Sequence, residues 1–354
     1  MSRAPRQVDV LVVGGGQAGL AAGFYLRRAK TDFVILDAYA RPGGAWPGMW
    51  DSLRLFSPAP FSSLPGWMMP QPPGGGYPGA ADTVAYLTAY EQRYELPIIR
   101  PVTVKAVRTG TRRLLVETDQ DDWEARVVVS ATGTWSRPYV PHYPGVGDFR
   151  GEQLHTVNYQ RPDPFRGRHV VIVGGGNSAA QILADVSTVT RTTWATLRPP
   201  RLLPDDVDGR ALFDLATRRH RAALAGRNDD GISGLGDIVA VPPVRDARDR
   251  GVLKSEPMFS RITPTGVTWA DGSELACDVI IWCTGFRPAL GHLAPLRLRG
   301  PGGLIPTEGT RAAGEPRLHL LGYGDWTGPA SATLIGAART ARTMVTEILA
   351  QLQR

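Results

Sequence analysis

Residues 8–19, VDVLVVGGGQAG, decide the fold. Val8–Val13 reads as a short apolar strand. Gly14-Gly15-Gly16-Gln17-Ala18-Gly19 follows at once, and then a helical pattern, LAAGFYLRRAK. Strand, G-x-G-x-x-G and helix in that order open a dinucleotide-binding unit. Gly14 allows the tight turn. Gly16 lets the backbone approach a pyrophosphate, which the free N–H groups of the helix N-terminus favour, with Gln17 and Ala18 in its first turn. Gly19 lets helix and strand pack closely. The next strand, DFVILD, ends in Asp37, 18 residues after Gly19. A carboxylate there accepts two ribose hydroxyls. A glycine turn in some other α/β fold is the alternative, and the position of Asp37 argues against it.

The pattern then restarts. His169–Val173 is a second apolar strand, and Gly174-Gly175-Gly176-Asn177-Ser178-Ala179 opens a second helix. Ala179 stands at the third glycine position, an accepted variant. The strand TTWATLR ends in Arg198 rather than an acid. Each glycine loop is followed by a strand that runs into a TG pair, Ala131-Thr132-Gly133 and Cys283-Thr284-Gly285. This is an internal repeat, with the second unit inserted in the first. The expected class is α/β with two Rossmann-like dinucleotide-binding domains. Residues 1–158 and 281–354 form the first, and 159–280 the second.

The two acid positions differ in chemistry. Asp37 suits ribose hydroxyls and repels a 2′-phosphate. Arg198, with Arg201 in reserve, attracts one; a surface arginine is the plainer reading. Two dinucleotides in one chain imply hydride transfer between them, so FAD is expected in the first domain and NADPH in the second. NADH is expected to serve less well.

Between the motifs, residues 38–48 hold RPGGAWPG, a turn-rich loop with Gly44, Ala45 and Trp46. The Pro/Gly-rich stretch 58–79 reads as an ordered covering loop, since it also carries Phe61, Trp67 and Met68. Thr83–Tyr94 is amphipathic at helical spacing. Segments 98–108, 113–118 and 125–130 read as strands of a small sheet, and strands are expected near 258–261, 266–269 and 278–282. Near the C-terminus, Asp325 is a candidate for the ribityl chain or an N-cap. The start of the last helix, Ser331–Leu334 with Thr333, is a candidate for the pyrimidine edge of the isoalloxazine, where a helix dipole favours negative charge.

Composition excludes other classes. A chain of 354 residues allows two domains. No apolar run reaches the roughly 18 residues of a membrane span. The N-terminus has no signal-peptide apolar region before the first strand. Cys277 and Cys283 cannot make a disulfide scaffold, so a reducing cytoplasm is expected. No metal site is expected. The net charge is +7, carried almost wholly by Arg, with Lys only at 30, 105 and 254. The dense run Arg218-Arg219-His220-Arg221 reads as a solvated helix face, and no basic stripe carries stacking aromatics, so nucleic acid is not an expected partner.

These pieces together resemble the class B flavin-dependent monooxygenases. Phe149-Arg150-Gly151-Glu152-Gln153-Leu154-His155-Thr156-Val157-Asn158-Tyr159 matches that family's F-x-G-x-x-x-H-x-x-x-Y fingerprint at every fixed position. The chain is most similar to the short bacterial members, including those encoded with arsenic-resistance genes. The matching stretches are GGAW (43–46), SLRLFSP (52–58), ATGTW (131–135), GGGNSAAQILADVS (174–187), DDVDGR (205–210), GDIVAVPPV (236–244), IWCTGFRPAL (281–290) and GYGDW (322–326). The resemblance implies that NADPH reduces FAD, that O2 adds to the reduced flavin at C4a, and that one oxygen passes to a soft nucleophile. Thioether sulfoxidation is implied first and weak Baeyer–Villiger oxidation second. It places His155 in a linker that arranges the domains, and it implies a cytoplasmic homodimer acting on a small molecule. Two departures stand out. Phe56 occupies a flavin-facing position where many members carry Asn. Arg198 stands where close relatives carry a neutral residue or His. Two other readings stay open: a reductase of quinones or other acceptors, and a non-catalytic flavin redox sensor. A disulfide reductase would need a thiol pair, and Cys277 and Cys283 read as core residues.

Overall fold

The computed structural model describes residues 4–354 except 206, 208, 210, 212–217 and 219–237. The basic run at 218–221, Arg218 apart, lies outside the described residues.

The first strands are β1 (Arg6–Val13), β2 (Phe33–Leu36), β3 (Ile98–Ile99), β4 (Val104–Thr109), β5 (Leu114–Thr118) and β6 (Trp123–Ser130). Then follow β7 (Glu152–His155), β8 (Val170–Val173), β9 (Thr192–Thr196), β10 (Ser255–Pro257), β11 (Arg261–Thr263), β12 (Gly266–Thr268), β13 (Glu274–Ala276) and β14 (Val279–Trp282). β15 (Thr307–Glu308), β16 (Arg311–Ala312) and β17 (Glu315–Leu320) come last. The described helices include α1 (Gln17–Arg28), α2 (Ala80–Arg93), α3 (Asn177–Val186), α4 (Pro242–Asp249) and α5 (Leu334–Leu352).

Among the described residues these make two main sheets, one per glycine loop. The first runs β15-β16-β17-β6-β1-β2-β3, and β5 and β4 extend from β6. The second runs β10-β9-β8-β14-β7. β1 and β8 are apolar throughout their inner halves because both faces are covered; Val10, Leu11, Val12, Val170, Val171 and Ile172 are fully buried. The repeat holds in space. β6 lies parallel beside β1, and β14 lies parallel beside β8. Gly14 (φ +108°) would place a Cβ 2.6 Å from the Ala131 carbonyl oxygen. Gly174 (φ +131°) would place one 2.3 Å from that of Cys283. Both first glycines are therefore required by φ and by the strand end beside them.

Two expectations change. The stretch 98–108 is two strands, since Pro101 has no N–H to give a ladder; β3 joins β2 in the main sheet and β4 turns away to pair antiparallel with β5. β6 is not confined to a small sheet, because it also pairs with β1 and β17. Two strands lie at the expected borders at 158 and 280. β7 belongs to the second sheet, where its four residues pair with β14 in parallel. β14 itself runs across the expected border. β7 covers an edge of β14 that would otherwise be open.

The covering loop is ordered, as its aromatic content requires. Tyr86 of α2 accepts from Leu64 N–H at 2.8 Å and donates to the Trp67 carbonyl at 2.6 Å. Tyr90 donates to the Pro65 carbonyl at 2.6 Å. α2 starts at residue 80, earlier than the hydrophobic pattern suggests, because the Asp82 carboxylate accepts from Gly79 N–H at 2.8 Å and caps it.

Candidate functional site

A cavity of about 710 Å³ joins the two glycine loops. Gly14, Gly16, Gln17 and Ala18 line it, with Asp37, Gly44, Ala45, Trp46, Ala131, Thr132 and Gly133. Asn177 and Ser178 of the second loop line the same space. Neither α1 nor α3 has a side-chain cap. A helix start without a side-chain cap suits an acceptor supplied from outside the chain. Gly44 (φ +58°) lies so close to Gly16 that a Cβ on it would sit 2.8 Å from the Gly16 Cα. Around Gly175 and Gly176 an added Cβ would meet nothing within 4 Å. Bare backbone and open space at two helix starts fit two dinucleotides.

Asp37 is 3% exposed under the first loop. Burial pushes its carboxyl up, and Arg100 together with the N–H groups of Tyr39 and Gly15 opposes that shift. Arg100 reaches Asp37 at 3.2 Å and holds Glu91 of α2 with two bonds, at 2.8 and 3.0 Å. Nothing in the sequence pattern marks Arg100, which lies 63 residues from Asp37. Gln17 is a second link: its Oε1 accepts from Trp46 Nε1 at 2.9 Å, and its Nε2 donates to the Ala332 carbonyl before α5.

Behind Ala131–Gly133 lies a buried polar chain that the sequence reading missed. Tyr323 OH is 2.7 Å from both Ser130 Oγ and Thr132 Oγ1, and Ser130 Oγ is 3.1 Å from His292 Nε2. His292 lines the cavity, and burial pushes it down to about 4. Trp135, after β6, and Phe286, after β14, stack at 5.2 Å between centroids, and both line the cavity. His155 does not line it. Its Nδ1 accepts from Val157 N–H and its Nε2 is 3.0 Å from the Gly285 carbonyl, with its ring edge-on to Phe286. Burial lowers its pKa. The geometry is that of a brace between the end of β7 and the turn after β14.

Other sequence-derived candidates lie elsewhere. Gly19 packs on Gly14 rather than facing the cavity. Gly174, Gly176 and Ala179 shape the second loop without lining the space. Arg198 is exposed two residues beyond β9, which ends at Thr196 and not at Arg198, and no partner holds it among the described residues. Arg201 is exposed as well, and its carbonyl accepts from Ile238 N–H at 3.1 Å. Asp325 is exposed, is absent from the cavity wall, and accepts from Ala330 N–H at 3.1 Å. Thr333 caps α5 through Gly336 N–H at 3.1 Å. It faces a second cavity, of about 340 Å³. Phe56 lines both.

Cys277 and Cys283 are free, burial pushes both up to about 12, and neither lines the cavity. Burial thus disfavours the thiolate that disulfide exchange needs. No described helix is long and apolar enough to cross a membrane.

The chain is similar to several known proteins. Residues 11–198 match the pyridine nucleotide-disulphide oxidoreductase family. An uncharacterized CzcO-like oxidoreductase from Geobacillus kaustophilus is 32% identical over 79% of this chain and 80% of its own length. The indole-3-pyruvate monooxygenase YUCCA8 from Oryza sativa is 26% identical over 84% of this chain and 80% of its own. The solved flavin-containing monooxygenase from Stenotrophomonas maltophilia is 51% identical with a TM-score of 0.89, covering 98% of this chain and 99% of that one. Bare helix starts at two glycine loops, one shared cavity and these likenesses lead to one assignment: the chain belongs to the pyridine nucleotide-disulphide oxidoreductase family and, within it, to the FAD- and NADPH-dependent class B flavin monooxygenases.

Proposed function

We propose that this monooxygenase oxygenates a small, neutral, soft nucleophile, a thioether first and a ketone second. The second cavity carries this reading. It meets the first at Gln17, Trp46, Leu55, Phe56 and Ala332, and its far wall includes Phe61, Leu334 and Ile335. No described residue on its wall is ionisable. An apolar space of that kind favours a neutral ligand, because a charge there would lose its hydration without a partner. It also excludes water, which protects a reactive oxygen species from wasteful release. Bound FAD supplies the redox and oxygen chemistry; the side chains bind, orient and shield. Phe56 stands between the two spaces and orders the approach. The test supplies methyl phenyl sulfide, NADPH and O2 to the purified holoenzyme. One sulfoxide per NADPH is expected. NADPH consumption that yields only hydrogen peroxide, together with rapid turnover of a quinone, would replace this reading by the acceptor reductase.

We assign FAD to Gly14, Gly16, Gln17, Ala18, Asp37, Gly44–Trp46 and Ala131–Gly133, and NADPH to Gly174, Gly176, Asn177, Ser178, Ala179 and Arg198. Asp325 is assigned to loop support. Sheet membership supports an NADPH domain from β7 to β14, inserted in the FAD domain. Cytoplasmic location and a homodimer are further proposals; light scattering on the purified protein checks the second.

Two expected results follow from the acid positions. Asp37→Ala weakens FAD retention by about 1–3 kcal/mol, because ribose hydroxyls lose an acceptor in a buried place. Fluorescence titration of apoprotein with FAD measures it, and an unchanged affinity would remove Asp37 from the site. Arg198→Ala raises the KM for NADPH and leaves that for NADH nearly unchanged, since a guanidinium gives charge-assisted bonds to a 2′-phosphate alone. Exposure and screening limit the preference to about 1–3 kcal/mol, roughly five- to a hundredfold. If the NADPH/NADH ratio of kcat/KM survives the substitution, Arg201 takes the role instead.

A further inference from the structure

α3 is fastened to loop 52–56 of the FAD domain by two side chains one turn apart. Arg54 makes an antiparallel bridge with Gly79, and Leu55 N–H donates to the Pro78 carbonyl at 2.8 Å. That register points the N–H and C=O of Arg54 itself to the other side. Gln181 takes both. Arg54 N–H donates to Gln181 Oε1 at 3.0 Å, and Gln181 Nε2 donates to the Arg54 carbonyl at 3.0 Å. A primary amide offers a donor and an acceptor side by side, as a peptide edge does. One turn later, Asp185 Oδ2 accepts from Ser52 Oγ at 2.7 Å and from Tyr159 OH at 2.6 Å. Tyr159 closes the fingerprint and is 1% exposed. A single carboxylate oxygen thus joins the FAD-domain loop, the linker and α3. Gln181 also lines the cavity, one turn below Asn177.

We infer that Gln181 and Asp185 are positioning residues for hydride transfer. They hold the start of α3, with the nucleotide it carries, at a fixed place relative to the FAD cavity. The inference rests on the reading that α3 opens the NADPH site. In the transfer, the dihydronicotinamide C–H bond breaks and its hydride passes to the flavin, leaving NADP+ and reduced flavin. Such a step needs the reacting atoms within about 3–3.5 Å, and a misplacement of about 1 Å costs on the order of a hundredfold. Both contacts are made to loop 52–56 and Tyr159 and act through the geometry of the two domains. Their loss should therefore slow transfer without loosening NADPH.

The test reads structure and rate separately in FAD-loaded protein. Without nucleotide, hydrogen exchange at the Arg54 amide is expected to rise about tenfold or more in Gln181→Leu, since its acceptor is gone. In anaerobic single-turnover reduction by NADPH, the limiting rate is expected to fall about 10- to 100-fold, while the Kd for NADPH stays within about twofold. Asp185→Leu should show the same split. Asp185→Asn, which keeps an oxygen able to accept from both hydroxyls, should recover most of the rate. Should Gln181→Leu fail to fold, the Asp185 pair carries the test. Faster exchange with an unchanged limiting rate would make the clasp merely structural. A raised Kd at an unchanged limiting rate would make these residues nucleotide contacts. Either result overturns the inference alone. Failure of NADPH to reduce the wild type would overturn the NADPH reading and the inference with it.

Discussion

Gly19→Ala is expected to yield folded but colourless protein. A Cβ at residue 19 would sit 1.9 Å from the Gly14 carbonyl oxygen and 3.1 Å from its carbon. The obstacle is backbone, so no rotamer change relieves it. Nor is Gly14 free to retreat. Its N–H donates to the Leu36 carbonyl at 2.8 Å, and its own Cα faces the Ala131 carbonyl on the opposite side. Overpacking of a flexible core costs about 1–3 kcal/mol, and a rigid turn stands at the upper end or beyond. That strain falls on the turn proposed to approach the pyrophosphate, so FAD affinity should drop by about 3 kcal/mol, more than a hundredfold. The flavin-to-protein absorbance ratio after purification reads the loss, and circular dichroism shows whether the sheet survives. The second loop supplies a control. It carries Ala179 at the corresponding place, fully buried. Ala179→Gly should therefore cost no more than about 1 kcal/mol, the helix penalty of glycine. A full flavin complement in Gly19→Ala would show that the turn can open.

The parts of the molecule that could be read in advance are those ruled by neighbours in sequence. Val8–Val13 announces a strand covered on both faces, and Gly14 announces a positive φ; both are local demands. The repeat was visible for the same reason, since the TG pairs that follow Ala131 and Cys283 sit beside Gly14 and Gly174. What the sequence hid depends on distant partners. β7 reads EQLH, exposed at one end and buried at the other, and only its pairing with Val279–Trp282 places it in the second sheet. Arg100 looks like a loop arginine until Glu91 and Asp37 are brought to it. Asp325 reads as a ribityl ligand or an N-cap, and its carboxylate accepts from Ala330 N–H five residues on. Gln181 lies in a helix whose pattern predicts burial, and its use as a substitute peptide edge depends on a loop 127 residues away.

Mild acid is expected to destabilise the fold before its carboxylates protonate, because two histidines are buried in the neutral form. His292 is held near Ser130 Oγ and the Ala289 backbone. His319, on β17, is fully buried; its Nδ1 is 2.9 Å from Thr310 Oγ1 and its Nε2 has no partner among the described residues. Burial pushes both from 6.5 to about 4, and the charge of Arg311 adds to the effect at His319. Unfolding returns both to 6.5. Between pH 6.5 and 4 the unfolded chain therefore binds more protons than the folded one, and stability rises with pH across that window. The contribution is complete above pH 6.5 and is lost as pH falls toward 4. Each histidine contributes roughly 3 kcal/mol over the whole window. Together they are comparable with the ~5–15 kcal/mol that holds a typical domain. His155 and His169 shift in the same direction and add to the slope. Urea unfolding at a series of pH values between 7.5 and 4.5 measures the loss. His319→Phe removes one titrating site and fills its place with an apolar ring, so the slope should become visibly shallower. An identical slope in wild type and His319→Phe would mean that His319 takes up its proton in the folded state, and that water reaches the Nε2 side of the ring.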